Sequence, residues 1–232
     1  LSSQSSRAAI VALGVSSVWW CLARNWNYIR AQGALAICGI LVLITLSAVS
    51  PEMGSRDRLD EITRRIVSIA DISGRTNYEN EEHGYLSDNN RFRMIWWRQV
   101  AKEVFETSPV IGLGFGYDLS RGFVRAYDQD FGENFSARSP HSILFTALGR
   151  MGLVGLIAWL AIALSMAFAT FRAIRNPGWE GIEALGWWSA TWALMVSSCF
   201  GVVLEGPMGA VLFWTLLGIA VRMSRAPKTP DA

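Results

Sequence analysis

Long apolar segments alternate with polar ones along this chain, and their lengths predict helices that cross a membrane. Five segments contain almost no charged residue, and they lie at about 8–23, 31–49, 142–171, 184–204 and 208–221. A helix needs about 20 apolar residues to span the hydrocarbon core of a bilayer, so the first and last segments are near the short limit. The pattern therefore predicts an all-α fold, a polytopic transmembrane helix bundle.

A long polar segment, residues 51–141, separates the second apolar segment from the third. A structureless loop of this length is uncommon, so we expect helices within it. Apolar residues recur at helical spacing over about 56–70 and over about 90–107. One apolar stripe of the second helix consists of Phe92, Trp96, Val100 and Val104. Such a stripe suits a helix at the membrane surface or a helix that covers the end of the bundle.

Basic residues in short loops predict the orientation, because they are retained on the cytoplasmic side. Three groups fall on one side if all five segments cross: Arg24 and Arg30; Arg172 and Arg175; Arg222, Arg225 and Lys228. The predicted organisation is two transmembrane helices in 1–50, an extracytoplasmic loop with amphipathic helices in 51–141, three transmembrane helices in 142–222 and a cytoplasmic tail in 223–232. Since the first residue is Leu1, we expect a longer parent protein with further N-terminal transmembrane helices.

Composition narrows the class of function further. The formal net charge of +2 averages a basic rim with a loop carrying both signs, so no nucleic-acid partner is indicated. All three cysteines lie in apolar segments, which predicts no disulfide framework. His83 lies in an acidic polar stretch without a second ligand cluster, so we predict no metal site and no cofactor. The glycine-rich stretch 109–117 lacks the strand and helix of a dinucleotide motif and predicts a tight turn that lets the backbone approach the bilayer or a lipid-linked substrate.

Candidate chemistry concentrates where the polar loop ends. His141 lies at the junction with the third apolar segment, and an imidazole at a membrane surface suits proton chemistry on an anionic substrate. The alternative is a histidine that anchors the helix and bonds a backbone carbonyl. Arg138 could bind phosphate or extend to lipid headgroups. Arg150 lies inside an apolar segment, where charge is costly, so it should have a partner, with Glu205 the nearest acidic candidate.

Three stretches resemble the O-antigen ligase and O-antigen polymerase superfamily. Gln4-Ser5-Ser6-Arg7-Ala8 is similar to its serine-arginine motif, and residues 89–116 are similar to its arginine-tryptophan helix and proline-glycine turn. His141-Ser142, followed by nine residues and Gly152, is similar to its histidine motif. These enzymes are bacterial inner-membrane glycosyltransferases of lipopolysaccharide and polysaccharide biosynthesis.

The resemblance implies transfer of a glycan from undecaprenyl pyrophosphate to an acceptor hydroxyl at the extracytoplasmic face, without a metal ion. By the same resemblance His141 orients or deprotonates the acceptor, and arginine binds pyrophosphate. Arg93 is the loop arginine that best fits the motif, although Arg91 and Arg98 also occur in it. The implied site residues are the catalytic pair His141 and Arg93 and the substrate-binding Arg7, Arg138, Arg91 and Trp97.

The sequence leaves the acceptor open among a glycolipid, a second lipid-linked glycan and a protein hydroxyl. Two other classes of protein also stay open. One is an anionic-solute transporter subunit, although the apolar segments hold almost no charge besides Arg150. The other is a noncatalytic membrane assembly protein, in which His141 would be replaceable.

Overall fold

The computed structural model describes residues 4–27, 29–31, 33–34, 37–38, 81–127, 139–176 and 179–225. Side chains within these ranges are described except at 4–10, 81–91, 125–127 and 179–180. The helix predicted at 56–70, most of the segment at 31–49, and residues 128–138 lie outside the described residues.

All regular secondary structure in these ranges is helical, which agrees with the predicted all-α class. The main helices are α1 (Gln4–Leu22), α2 (Glu81–Thr107), α3 (Arg121–Tyr127), α4 (Ile143–Ile174), α5 (Trp179–Cys199) and α6 (Pro207–Met223). The observed α2 begins nine residues before the helical periodicity predicted from about residue 90.

The chain divides into two compact units, residues 25–94 and residues 1–24 with 95–232. In the first of these, the described residues belong to short helical stretches between 26 and 38 and to the beginning of α2. The second unit contains α1, α3 to α6 and the end of α2. It also contains His141, Trp96, Trp97 and Glu205.

Helix α5 is the centre of the helical bundle in the larger unit, where it packs against α1, α4 and α6. The core between α4, α5 and α6 consists mainly of Met166, Ala173, Trp188, Met195, Phe213 and Ala220. Two indole N–H groups are satisfied inside it: Trp188 donates to Ser224 Oγ at 2.8 Å and Trp192 donates to Thr170 Oγ1 at 3.0 Å. These tryptophans therefore join helices to one another.

Helix α4 changes direction at Gly152, whose φ of 62° and ψ of −151° are not helical. Only glycine adopts such a conformation at little cost, so the residue type permits the break. The segment before it buries Ile143, Ala147 and Leu148, whereas the segment after it exposes Leu164 and Phe168. The two parts of α4 thus have different surroundings, one packed on protein and one with an open apolar face.

Helix α4 is long and apolar enough to cross a membrane, and it is the one such helix in the described part of the chain. Two further apolar helices, Val11–Leu22 and Pro207–Met223, are shorter.

Candidate functional site

The apolar stripe predicted on α2 supplies the buried side chains on which the candidate site is built. Trp96, Val100 and Val104 are all fully buried. Trp96 stacks on Phe123 of α3 with ring centroids 5.1 Å apart, and its indole N–H donates to the carbonyl oxygen of Leu119 at 2.8 Å. Since both the ring face and the polar edge of Trp96 are engaged, this side chain joins α2 firmly to the segment that leads into α3.

Trp97, the next residue, contacts the chain both before and after His141, in the bend that precedes α4. Its indole N–H donates to the carbonyl oxygen of Pro140 at 2.7 Å. Its ring stacks on Phe145 with centroids 4.9 Å apart and an interplanar angle of 9°. One side chain therefore fixes the residue before His141 and the first turn after it. The contact of Trp97 with substrate stays a prediction.

His141 lies in this bend with a backbone φ of 55°. A left-handed backbone is uncommon for residues other than glycine and costs about 1–3 kcal/mol, so surrounding structure must maintain it. Pro140 and Ser142 on either side are buried, while His141 itself is half-buried. Its ring meets that of Trp96 edge to face, with centroids 6.0 Å apart. The imidazole is thus positioned by a constrained backbone and remains partly open to a substrate.

A hydrogen-bonded chain connects this bend to the turn between α5 and α6. The backbone N–H of His141 donates to Ser139 Oγ at 3.3 Å, and the Ser139 hydroxyl donates in turn to the carboxylate of Glu205. Thr146 Oγ1 also donates to Glu205, at 2.9 Å. An acidic side chain 64 residues away in sequence therefore holds the backbone at His141 through one intervening hydroxyl.

Arg150 finds its partners in the backbone rather than in Glu205, the partner expected from the sequence. Its guanidinium donates to the carbonyl oxygens of Gly114 at 3.3 Å, Phe115 at 2.6 Å and Tyr117. All three carbonyl oxygens lie around the same guanidinium nitrogen, Nη1, and share its hydrogens, so backbone acceptors take the place of a carboxylate partner. Arg150 thereby shapes the second half of the glycine-rich turn.

The glycine-rich turn packs against the break in α4. Gly112 has a φ of 74°, and a Cβ added at Gly152 would lie 2.5 Å from its backbone nitrogen. Four backbone hydrogen bonds join the two segments: Leu113 N to Gly149 O at 2.8 Å, Gly114 N to Arg150 O at 3.1 Å, Leu153 N to Pro109 O at 2.9 Å and Val154 N to Val110 O at 3.2 Å. The described contacts of the turn are with the backbone of α4, and its approach to the bilayer or to a lipid-linked substrate stays a prediction.

This pairing explains why a helix can be interrupted here. A break in an α-helix leaves N–H and C=O groups on either side without their usual partners, and burying such groups unpaired is costly. The turn supplies those partners around Gly152. The nine residues between the His141-Ser142 pair and Gly152 form one short helical segment, which connects the bend at His141 to the point where α4 is bonded to the glycine-rich turn.

The structure brings only some of the predicted site residues together. His141 and Trp97 lie together in the larger unit, whereas Arg93 is half-buried on α2 in the other unit. Arg7 lies on α1 and Arg91 on α2, each with a side chain that is not described, and Arg138 lies outside the described residues. Within the described ranges, no group of three His, Cys, Asp or Glu side chains is arranged to hold a metal ion.

Three members of this constellation did not stand out in the sequence as partners of His141. They are Ser139, Thr146 and Glu205, whose contacts span up to 66 residues. In the sequence these residues are distinguished only by being polar next to long apolar segments. That is not enough to predict that they contact one another. Trp96 was predicted as part of an apolar stripe, but its edge-to-face contact with His141 needs three-dimensional placement.

The described part of the chain is helical and contains one helix long and apolar enough to cross a membrane. The O-antigen ligase family model matches residues 1–160, which include α1, α2, α3, His141 and the break at Gly152. The chain therefore belongs to the O-antigen ligase family, whose members are membrane proteins that act on lipid-linked glycans. No curated protein and no solved structure matches the chain.

Proposed function

We propose that this protein is part of an integral-membrane glycosyltransferase that transfers a glycan from undecaprenyl pyrophosphate to an acceptor hydroxyl. Family membership supports the type of reaction, and one observation carries the site: the strained, half-buried His141 held between Trp96, Trp97 and the hydroxyl that Glu205 fixes. Strained backbone that is held by several independent contacts is characteristic of functional sites.

Placement in the bilayer follows the charge pattern. The apolar segments form five transmembrane helices, with the basic groups cytoplasmic and the His141 bend extracytoplasmic in a bacterial inner membrane. The open apolar face of α4 after Gly152, which includes Leu164 and Phe168, supports contact with lipid or with other transmembrane helices. In this arrangement the packed first segment of α4 lies at the extracytoplasmic end.

In the proposed mechanism His141 is the base. Its imidazole removes the proton of the acceptor hydroxyl while the oxygen attacks the anomeric carbon of the glycan. A new glycosidic bond forms, the bond from the anomeric carbon to the pyrophosphate oxygen breaks, and undecaprenyl pyrophosphate leaves. The proton ends on the imidazole. A positioned general base typically contributes about 10² to 10⁴ in rate.

Arginines stabilise the leaving group in this proposal. Charge on the pyrophosphate rises as its bond to the sugar breaks, and guanidinium groups donate paired hydrogen bonds to phosphate while staying charged. Arg93 takes this role with Arg7, and Arg91 and Arg138 assist it. Because cationic side chains supply the charge, the transfer needs no metal ion.

The experiment that tests this proposal uses the complete parent protein in nanodiscs containing EDTA. An undecaprenyl pyrophosphate-linked glycan is supplied with a glycolipid, a second lipid-linked glycan or a serine-containing protein as acceptor. Transfer to one acceptor class is expected. If the folded protein transferred glycan to none of these acceptors, the result would contradict the proposed enzymatic function and favour an assembly or transport role.

The same assay distinguishes the three loop arginines. Arg93→Gln should lower kcat/KM for the donor by roughly tenfold to a hundredfold, the value of losing charge-assisted hydrogen bonds to a leaving group whose charge rises in the transition state. Arg98→Gln is the matched control, since Arg98 lies on the same helix and is exposed, and it should leave kcat/KM for the donor unchanged. A larger effect from Arg91→Gln or Arg98→Gln would move the pyrophosphate contact to that residue.

A further inference from the structure

A second candidate site lies at the other end of α4. A cavity of about 1040 Å³ opens between the C-terminal part of α4, the beginning of α5 and the end of α6. Its walls are largely apolar and include Ile162, Met166, Phe168, Ala169, Leu217 and Val221. The core tryptophan Trp188 contributes to the inner wall. None of its lining residues belongs to the histidine site, and the cavity has no part in the proposed transfer.

Three arginines line this cavity: Arg172, Arg175 and Arg225. They come from two different helix ends, and no aspartate or glutamate is among the described lining residues. The guanidinium of Arg175 lies 4.4 Å from the ring centroid of Phe171, a cation–π contact that orients it. Cations at helix C-termini also offset the helix dipole, but that effect does not require them to share one cavity.

The position along α4 fits a membrane interface. At a rise of 1.5 Å per residue, the uninterrupted part of α4 from the break at Gly152 to Arg172 is roughly 30 Å long, close to the thickness of the hydrocarbon core of a bilayer. A bound anion would thus lie at headgroup level, while the apolar walls of the cavity would extend towards the hydrocarbon. Phe168 and Leu164, which are exposed, continue the apolar surface on α4.

We propose that this cavity binds an anionic phospholipid of the surrounding bilayer. The three guanidinium groups hold the phosphate of the headgroup, and the acyl chains lie along the apolar walls. Basic pockets between transmembrane helices are suited to lipid phosphates on the cytoplasmic side. The size of the cavity favours a lipid over a free phosphate ion, because pockets for drug-sized molecules measure roughly 300–1,000 Å³.

Native mass spectrometry of the full chain in detergent tests this site. The probes are phosphatidylglycerol, phosphatidylcholine and inorganic phosphate. The variant Arg172→Gln/Arg175→Gln/Arg225→Gln should bind phosphatidylglycerol at least about tenfold more weakly than the native chain, since each arginine near a lipid phosphate contributes appreciably. A second variant, Ala169→Phe, keeps every arginine but places a bulky ring against the wall where an acyl chain would lie, and it should also weaken binding.

The matched control is Arg24→Gln/Arg30→Gln/Arg222→Gln. It removes the same charge from exposed arginines that do not line the cavity, so it should change the affinity less than twofold. Equal losses in the two triple variants would overturn the proposal in favour of a diffuse surface charge. Equal binding of phosphatidylcholine, or displacement of the lipid by inorganic phosphate alone, would also overturn it. The readout is lipid binding, so it is independent of whether glycan transfer occurs.

Discussion

At the residue scale, the candidate site depends on a histidine whose backbone occupies a conformation that histidine seldom adopts. The φ of 55° at His141 orients a side chain that the motif spacing alone could not orient. Trp97 and Glu205 act on the neighbouring residues rather than on the imidazole. The geometry of the base is therefore distributed over side chains from α2, α4 and the turn before α6.

Glu205 is a positioning residue in this account, and its replacement should lower transfer without preventing folding. Glu205→Ala removes the acceptor shared by Ser139 and Thr146, so the bend loses its connection to the α5–α6 turn. We expect kcat to fall about tenfold, which corresponds to the lower end of the value of one hydrogen bond to a charged group, with the donor KM little changed. Steady-state kinetics of the parent protein measure both constants.

The control for this prediction is Glu205→Gln, which retains an oxygen that can accept both hydrogen bonds. Most of the lost kcat should return in this variant. If Glu205→Gln were as slow as Glu205→Ala, the negative charge rather than the hydrogen-bonded connection would be what matters. If Glu205→Ala kept full activity, the chain through Ser139 would have no role in positioning His141.

At the scale of elements, the structure is organised by one backbone junction between the glycine-rich turn and the break in α4. Both glycines at the closest approach, Gly112 and Gly152, have positive φ, and each lies against the backbone of the other segment. The sequence predicted a tight turn at 109–117 and an apolar helix from 142. It could not predict that α4 is broken at Gly152. An apolar segment that contains glycine is predicted as one continuous helix when the residues that pack against it are unknown.

Alanine at either glycine should be severely destabilising. In Gly152→Ala the new Cβ would meet Gly112 N and Val110 O at 2.5 Å, and the backbone φ would be strained as well. We expect a loss above about 3 kcal/mol, within the range seen for combined strain and overpacking. Thermal unfolding in detergent, followed by circular dichroism, measures this loss.

Substitutions at two further glycines distinguish the cost of backbone strain from the cost of a steric clash. Gly114 has a φ of 87° but open space around its Cβ position, so Gly114→Ala should cost only about 1–2 kcal/mol. Gly116 has neither constraint, and Gly116→Ala should be within about 0.5 kcal/mol of the native chain. Similar unfolding temperatures for Gly152→Ala and Gly116→Ala would show that the backbone junction does not form.

At the scale of the whole molecule, apolar periodicity and length were sufficient to predict an all-helical protein. The buried stripe on α2 also follows from sequence, since residues 96, 100 and 104 share one helical face. The partners of Arg150 and Glu205 did not follow, because a charge near a membrane can be satisfied by backbone carbonyls as well as by an opposite charge. Long-range pairing of that kind is decided by the fold.

The family resemblance found through three short motifs is confirmed by the match over residues 1–160. The polytopic arrangement and the roles of the individual site residues stay predictions. They share one central claim, which is that this protein transfers glycan with His141 as the base. That claim belongs to the whole molecule, because donor, acceptor and bilayer must meet at the bend before α4.

The most direct measurement compares native parent protein with His141→Asn in the reconstituted transfer assay. Asparagine tolerates the left-handed backbone but cannot act as a base at neutral pH, so the variant separates chemistry from backbone strain. We expect the transfer rate to fall about 10² to 10⁴-fold, while the unfolding temperature and donor binding stay close to native values. Transfer by His141→Asn at the native rate would contradict the account.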